Sequence, residues 1–246
     1  MAANPDFVYQ PPMSPYLEII YQDADIIVVN KASGILSVSG RLPEHQDCLE
    51  NRVKRVLPSA TIVHRLDMAT SGLMIMALNK AAHVGISRQF EKRQTQKSYI
   101  ARVYGRVSPK QGSIDLPLIC DWPNRPKQMV DHDYGKAALT HYEVLSHDEL
   151  KSGDDIKSYG NIKNSEKSVE SLHNTSLVKL TPVTGRSHQL RVHMLALGHP
   201  MLGDRLYAHK DALSLSNRLQ LHAMNIQFTH PATLEKMSFT AQCPFK

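Results

Sequence analysis

The chain has 246 residues, 41% apolar and 21% charged, a globular composition that excludes a disordered or fibrous bulk and suits one large domain or two small ones. Lys and Arg number 29 against 23 Asp and Glu, a formal charge of +6 before 13 histidines are counted, and the sequence pI is near 9.2. That balance favours a polyanionic partner without naming one, since many basic proteins bind no nucleic acid.

No apolar run approaches the ~18 residues that a membrane span needs, so no membrane association is expected. The opening Met1-Ala2-Ala3-Asn4-Pro5-Asp6 has neither the basic nor the apolar region of a secretory signal. Three scattered cysteines, Cys48, Cys120 and Cys243, give neither an even disulfide set nor a CxxC half-site. A reduced, cytoplasmic address is therefore expected.

Pro5, Pro11, Pro12 and Pro15 deny residues 1–15 a regular element, so an extended arm is expected there, with ordered chain from Tyr16 onward. Residues 17–21 and 26–30 read as two strands joined by a turn at Asp23-Ala24-Asp25. Lys31-Ala32-Ser33-Gly34 then breaks the second strand, a common place for functional groups. Residues 47–56 carry Leu49, Val53 and Val56 at helical spacing before Pro58. Residues 73–78 are apolar at every position, as in a strand covered on both faces. Residues 81–92 read as an amphipathic helix, and residues 97–104 alternate as a strand ended by Gly105.

Residues 151–175 are dominated by Ser, Lys, Asn, Asp and Gly and predict a solvated, mobile insertion. Residues 178–181 predict a strand, and residues 188–197 a helix closed by Gly198 and Pro200. On that helix His188 and Arg191 would share one face while Leu190, Met194 and Leu197 line the other. One domain, 16–246, with an insertion at 151–175 is the expected organisation.

Two segments concentrate chemistry. Val63-His64-Arg65-Leu66-Asp67-Met68-Ala69-Thr70-Ser71-Gly72 sets an imidazole, a guanidinium, a carboxylate and two hydroxyls just before a buried strand. Asp67 there is either a turn residue capping the amides of Thr70 and Ser71, or a nucleophile or base that needs a cation to stay ionised. Thr184-Gly185-Arg186-Ser187-His188-Gln189-Leu190-Arg191-Val192-His193 supplies cations. His188 and His193 fit polar surface or hydrogen-bonded packing better than metal ligation, because the spacing is not HExxH and no carboxylate follows in pattern. Arg186 suits a phosphate or carbonyl near a helix start. Tyr99 is either a cross-strand core aromatic or a ring on which a base stacks, and Lys92, Arg93, Lys97 and Arg102 are either a track for RNA or a solvated face. With no GxxxxGK[ST], GxGxxG or GxSxG pattern, a cofactor-free and metal-free reaction is expected.

His64-Arg65-Leu66-Asp67 with Thr70-Ser71-Gly72, then Lys97-Ser98-Tyr99-Ile100-Ala101 with Gly105, then residues 184–193 resemble, in order, the motifs of the RluA family of pseudouridine synthases. The resemblance runs from about residue 16 to the C-terminus, apart from 151–175. It includes Ile119-Cys120-Asp121-Trp122-Pro123-Asn124-Arg125-Pro126-Lys127-Gln128 and Met194-Leu195-Ala196-Leu197-Gly198-His199-Pro200. It is greatest towards the dual-specificity members, which act on ribosomal large-subunit RNA and tRNA, and the short arm leaves no room for the S4 RNA-binding domain of larger members.

The resemblance implies an α+β fold: a mixed, mostly antiparallel β-sheet flanked by helices, with the active site in a basic cleft. It implies isomerisation of uridine to pseudouridine without metal or cofactor. The C1′–N1 bond breaks, the uracil turns while held, and C5 joins C1′. By motif position Asp67 is the catalytic aspartate, as nucleophile or as base, and Arg191 is the arginine that pairs with it. Tyr99 stacks on the target base and assists loss of the C5 proton, and Arg65 fills the gap left by the flipped uridine. His64, Arg186 and His188 are expected to contact RNA. The implied partners are structured RNA, 23S rRNA and the tRNA anticodon stem-loop, with no obligate protein partner and a monomeric chain. The usual Lys-Pro-Ser-Gly is Lys31-Ala32-Ser33-Gly34 here, and Ser39 replaces the proline before Gly40, which predicts a looser loop. Two other readings are an RNA-binding protein without catalysis, which would not need an ionised Asp67, and a glycosidase, which would release the base.

Overall fold

The two β-branched runs form an antiparallel pair, β1 (Ile19–Gln22) and β2 (Ile26–Lys31). The Asp23 carboxylate shapes the turn between them by accepting from the amides of Asp25 and Ile26, both at 2.8 Å. Helix α1 (Leu49–Lys54), the two-residue β3 (Thr61–Ile62), β4 (Ser71–Ala77), α2 (Lys80–Glu91) and β5 (Gln96–Tyr104) follow. Then come β6 (Gln111–Asp115), β7 (Leu118–Cys120), β8 (Gln128–Val130), β9 (Leu139–Lys151), β10 (Leu172–Pro182), α3 (Gln189–Ala196), α4 (Lys210–Ser214), β11 (Leu221–Thr229) and β12 (Lys236–Thr240). This is a computed structural model, and it describes residues 8–151 and 172–245. The chain divides into two units, Met1–Tyr99 with His222–Pro244, and Ile100–Leu221 with Phe245–Lys246.

In the first unit the strands run β1-β2-β4-β11, with β3 also beside β4 and β12 beside β11. The pairs β1–β2, β2–β4, β3–β4 and β11–β12 are antiparallel, and β11 runs parallel to β4. Every residue of β4 is buried because both faces are covered. Met74 and Met76 pack with Leu49 and Val53 of α1, while Leu73, Ile75 and Ala77 pack with Ala82 and Ile86 of α2. Asn79 caps α2 by accepting from the Ala82 amide at 2.9 Å.

The described part of the N-terminal arm carries no helix or strand, yet it is held. Tyr9 is buried, donates to the Asp47 carbonyl at 2.6 Å and accepts from the Leu36 amide at 3.0 Å. Arg52, 1% exposed, chelates the Asp47 carboxylate with two bonds of 2.7 Å and donates to the carbonyls of Pro12 and Tyr16. Among the described residues, ordered contacts are thus present from Tyr9, seven residues before Tyr16, and the buried Arg52 guanidinium takes two of its acceptors from this arm.

In the second unit the order is β5-β10-β9-β6, and β7 and β8 form a separate two-stranded sheet. The antiparallel β9–β10 pair extends from Thr140↔Pro182 to Lys151↔Leu172. The insertion expected at 151–175 lies, over 152–171, outside the described residues, and its two ends belong to these strands.

The helix expected at 188–197 is α3, with a difference that matters for the site. His188 adopts a left-handed conformation, φ 53, as the residue before the helix, so it shares no helical face with Arg191. Residues 189–194 are all buried, with no polar outward face, and Leu195 is exposed. The polar side chains that look amphipathic in the sequence are internal ties. The Gln189 amide accepts from Thr184 Oγ1 and the Arg186 amide, and donates to the Leu139 carbonyl and Thr140 Oγ1. His193 bonds Thr140 Oγ1 and the Leu116 carbonyl. Among the described residues no helix is long and apolar enough to cross a membrane.

Gly72 holds φ +116 where β4 meets β11, and a Cβ there would lie inside the contact distance of the Ala223 backbone. Gly72→Ala is therefore expected to cost about 3 kcal/mol or more, read as a lower urea midpoint.

Candidate active site

Asp67 stands on the loop between β3 and β4, and the backbone of that loop is occupied on all sides. Leu66 anchors it: its side chain enters the core, its carbonyl accepts from Ser37 Oγ at 2.6 Å and its amide donates back to the same oxygen at 3.2 Å. The Met68 carbonyl accepts from the Gly34 amide at 2.9 Å and from Lys31 Nζ at 3.0 Å. The Ala69 carbonyl accepts from Ser33 Oγ at 2.7 Å, and the Thr70 amide donates to the Asp67 carbonyl oxygen at 3.1 Å. Lys31, 1% exposed, also donates to the carbonyls of Ala32 and Ile35. The Lys31-Ala32-Ser33-Gly34 loop and the Asp67 loop are thereby one hydrogen-bonded body.

His64 closes a gap in the sheet. β3 pairs with β4 at Ala77 and Met76, β11 at Ser71 and Gly72, and the Ile75 amide between them donates to His64 Nε2 at 3.0 Å. The imidazole also stacks on Phe90, centroids 4.5 Å apart, and Lys97 Nζ lies 5.3 Å from the Phe90 ring on its own side. Burial first, and then the Lys97 charge, push the His64 pKa down to about 3, so the ring is a neutral acceptor. Its next neighbour Arg65 stands exposed.

Tyr99 packs half-buried against the cluster formed by Leu66, Met74 and Ala223. Burial, followed by the nearby Asp67 carboxylate, raises its hydroxyl well above the usual tyrosine range. The first unit therefore brings Asp67 and Tyr99 within electrostatic reach, and the phenol stays protonated at neutral pH. A protonated phenol can donate a hydrogen bond and is a poor base.

The second unit organises the cationic motif. Arg191, 5% exposed, donates from Nε and Nη2 to the two carboxylate oxygens of Asp204 at 2.8 and 2.7 Å. Its guanidinium lies 5.0 Å from the Tyr207 ring centroid. The Tyr207 hydroxyl meets His188 Nδ1 at 2.7 Å and accepts from the Gln128 amide at 2.8 Å. Arg191 and His188 are thus gathered by Tyr207. Arg186 points elsewhere, its exposed side chain donating to the Ala137 carbonyl at 3.1 Å.

Asp204 and Tyr207 were not among the sequence candidates. The one available signal was the rule that a buried guanidinium requires a carboxylate. Asp23, Asp25 and His230 also gather at the β1–β2 turn, their ligand atoms within 4.8 Å of one another. The Asp23 carboxylate there is committed to the turn amides, the Tyr21 hydroxyl and His230.

With this geometry in view, residues 25–196 match the sequence profile of the RNA pseudouridylate synthase family. The chain belongs to the RNA pseudouridylate synthase family. As an RNA pseudouridine synthase it is an isomerase. It is 52% identical over 237 residues to the dual-specificity RNA pseudouridine synthase RluA of Salmonella typhimurium, covering 96% of this chain and 98% of that one. It is 51% identical, with the same coverage, to the RluA of Escherichia coli K12. The solved structure of human RNA pseudouridylate synthase domain containing 1 superposes with a TM-score of 0.74 at 29% identity, over 96% of this chain and 87% of that one.

Two outcomes test this account of the synthase site. Because the folded chain keeps His64 neutral down to about pH 3 while an unfolded histidine titrates near 6.5, the stability His64 contributes is present above about 6.5 and lost as pH falls through that window. Urea midpoints at about pH 7 and about pH 4.5 are expected to differ less in His64→Gln than in the parent. Asp204→Asn is expected to lower stability by about 3 kcal/mol in the same assay, because it removes half of a buried ion pair.

Proposed function

We propose that the chain converts specific uridines of structured RNA to pseudouridine, with 23S rRNA and the tRNA anticodon stem-loop as substrates, and that Asp67, Tyr99 and Arg191 carry the reaction. The supporting relatives are the RluA enzymes, whose name states dual specificity. The observation that carries the residue assignment is the Asp67 carboxylate on a loop whose backbone is saturated by Lys31, Ser33, Gly34 and Ser37, within reach of a protonated Tyr99. A carboxylate placed that firmly is preorganised against a reacting carbon.

In this reading the uridine flips out of its stack, Arg65 takes its place, and the uracil lies on the Tyr99 ring. Asp67 either attacks C1′ or removes a ribose proton to open a glycal route. The C1′–N1 bond breaks, the uracil turns, the C5–C1′ bond forms as the Asp67 carboxylate leaves C1′ or the ribose proton is returned, and the C5 proton is lost as a proton reaches N1. Atoms and electrons balance without a co-reactant. The resemblance pairs Arg191 with Asp67, and Asp204 fixes the plane of the Arg191 guanidinium by two bonds. His188 and Arg186 contribute to RNA binding, and His64 acts by fixing the strand behind Arg65 and Asp67. The same reading takes 16–246 as one catalytic unit of a cytoplasmic, monomeric enzyme.

The test is tritium release from C5-labelled uridine in an anticodon stem-loop transcript and in a large-subunit rRNA fragment. Release from both is expected, with Asp67→Asn slower by about a thousandfold or more and Arg191→Ala likewise inactive, while RNA binding persists. Parental rates in Asp67→Asn would remove its role, and free uracil would mark a glycosidase instead.

A further inference from the structure

Trp122 is the one tryptophan of the chain, and it is 63% exposed. Indole is among the side chains that gain most from burial, so its display on the surface asks for a partner. It sits on the turn between β7 and β8, and that turn is rigid. The Asp121 amide donates to the Lys127 carbonyl at 3.0 Å, the Lys127 amide to the Asn124 carbonyl at 3.1 Å and the Asn124 amide to the Asp121 carbonyl at 3.0 Å. The Asn124 side-chain amide binds both oxygens of the Asp121 carboxylate, at 3.1 and 2.9 Å. The Arg125 guanidinium lies over the indole, 4.8 Å from its centroid, and fixes the plane of the ring.

The charges around the ring are sorted. The one carboxylate of the turn, Asp121, is engaged by Asn124, whereas Arg125 is exposed and Lys127 is half-exposed. An exposed indole with a guanidinium against it and a second cation, Lys127, on the same short turn fits a nucleobase with its phosphate better than an apolar protein surface, which would need apolar neighbours. The turn also belongs to the same framework as Arg191. The Gln128 amide donates to the Tyr207 hydroxyl, the Tyr207 ring packs beside Arg191, and Leu118 of β7 packs with Val192 of α3.

We propose that this turn is a stacking platform for an unpaired nucleotide of the substrate RNA other than the uridine that reacts, with Trp122 as the surface and Arg125 and Lys127 as phosphate contacts. The inference rests on the RNA-modifying function proposed above. Such a platform binds without joining the chemistry, so its loss falls on KM and Kd rather than on kcat.

Because Trp122 is the sole tryptophan, its fluorescence reports on this turn in the unmodified protein. Titration with an anticodon stem-loop transcript is expected to quench it in step with the anisotropy of labelled RNA, and a blunt duplex of equal length is expected to quench it much less. Trp122→Ala is expected to raise Kd and KM about tenfold, Trp122→Phe to recover most of that loss, and Arg125→Ala to flatten the salt dependence of binding. An unchanged tryptophan signal at RNA saturation, equal quenching by the duplex, or parental affinity in Trp122→Ala would each overturn the platform. If the parent protein neither binds nor isomerises RNA, the proposed function itself fails. That outcome is distinct from a parent that does both while Trp122 stays indifferent.

Discussion

A buried ammonium cannot be left without acceptors, and the site is arranged around that requirement. Lys31 draws on the carbonyls of Ala32, Ile35 and Met68, which belong to two loops far apart in sequence. Once it has done so, the loop after β2 and the loop before β4 have no independent freedom, and Ser33, Gly34 and Ser37 complete the lock. Asp67 is carried on the locked loop. Ala32, where the family has proline, predicted a looser segment, yet hydrogen bonds supply the restraint that a pyrrolidine ring would have given. A nucleophile or base is most useful when its surroundings have already been ordered before substrate arrives.

The second unit meets the same requirement with a carboxylate in place of carbonyls. Arg191 enters α3 among apolar residues and is matched to a fully buried Asp204, with the Tyr207 ring against it. Planar guanidinium and planar carboxylate meet through two parallel bonds, which fix orientation as well as charge. Tyr99 shows the same electrostatic economy from the other side. Its phenol is kept neutral by burial and by the nearby carboxylate of Asp67.

Much of this was legible in the residues. The β1–β2 opening, the doubly covered β4 and the alternating β5 follow from hydrophobic periodicity, because each is a local pattern with a local cause. The ordered motifs pointed to the family and to Asp67, Tyr99 and Arg191. Long-range pairing was not legible. The roles of Gln189 and His193 depend on Thr140 and Leu139, which sit about fifty residues away. Their polarity at helical spacing imitates a wet face, although residues 189–194 are buried in the fold. His64 misleads in the same way. In the sequence it is an imidazole in a polar motif, whereas in the fold its Nε2 substitutes for a missing strand neighbour. Asp204 offers no periodicity at all, and becomes visible only as the counter-ion that a buried Arg191 must have.

The parallel pairing of β4 with β11 couples Ser71 to His222, 151 residues later. During synthesis the strand behind Asp67 is therefore made long before its neighbour exists, and Ile100–Leu221 of the second unit emerges in between. Contacts of such separation slow folding, since a long loop must close before the pairing contributes. The nascent chain cannot complete the sheet that supports Asp67 until β11 has emerged. Until then the edge of β4 that β11 will cover stays open.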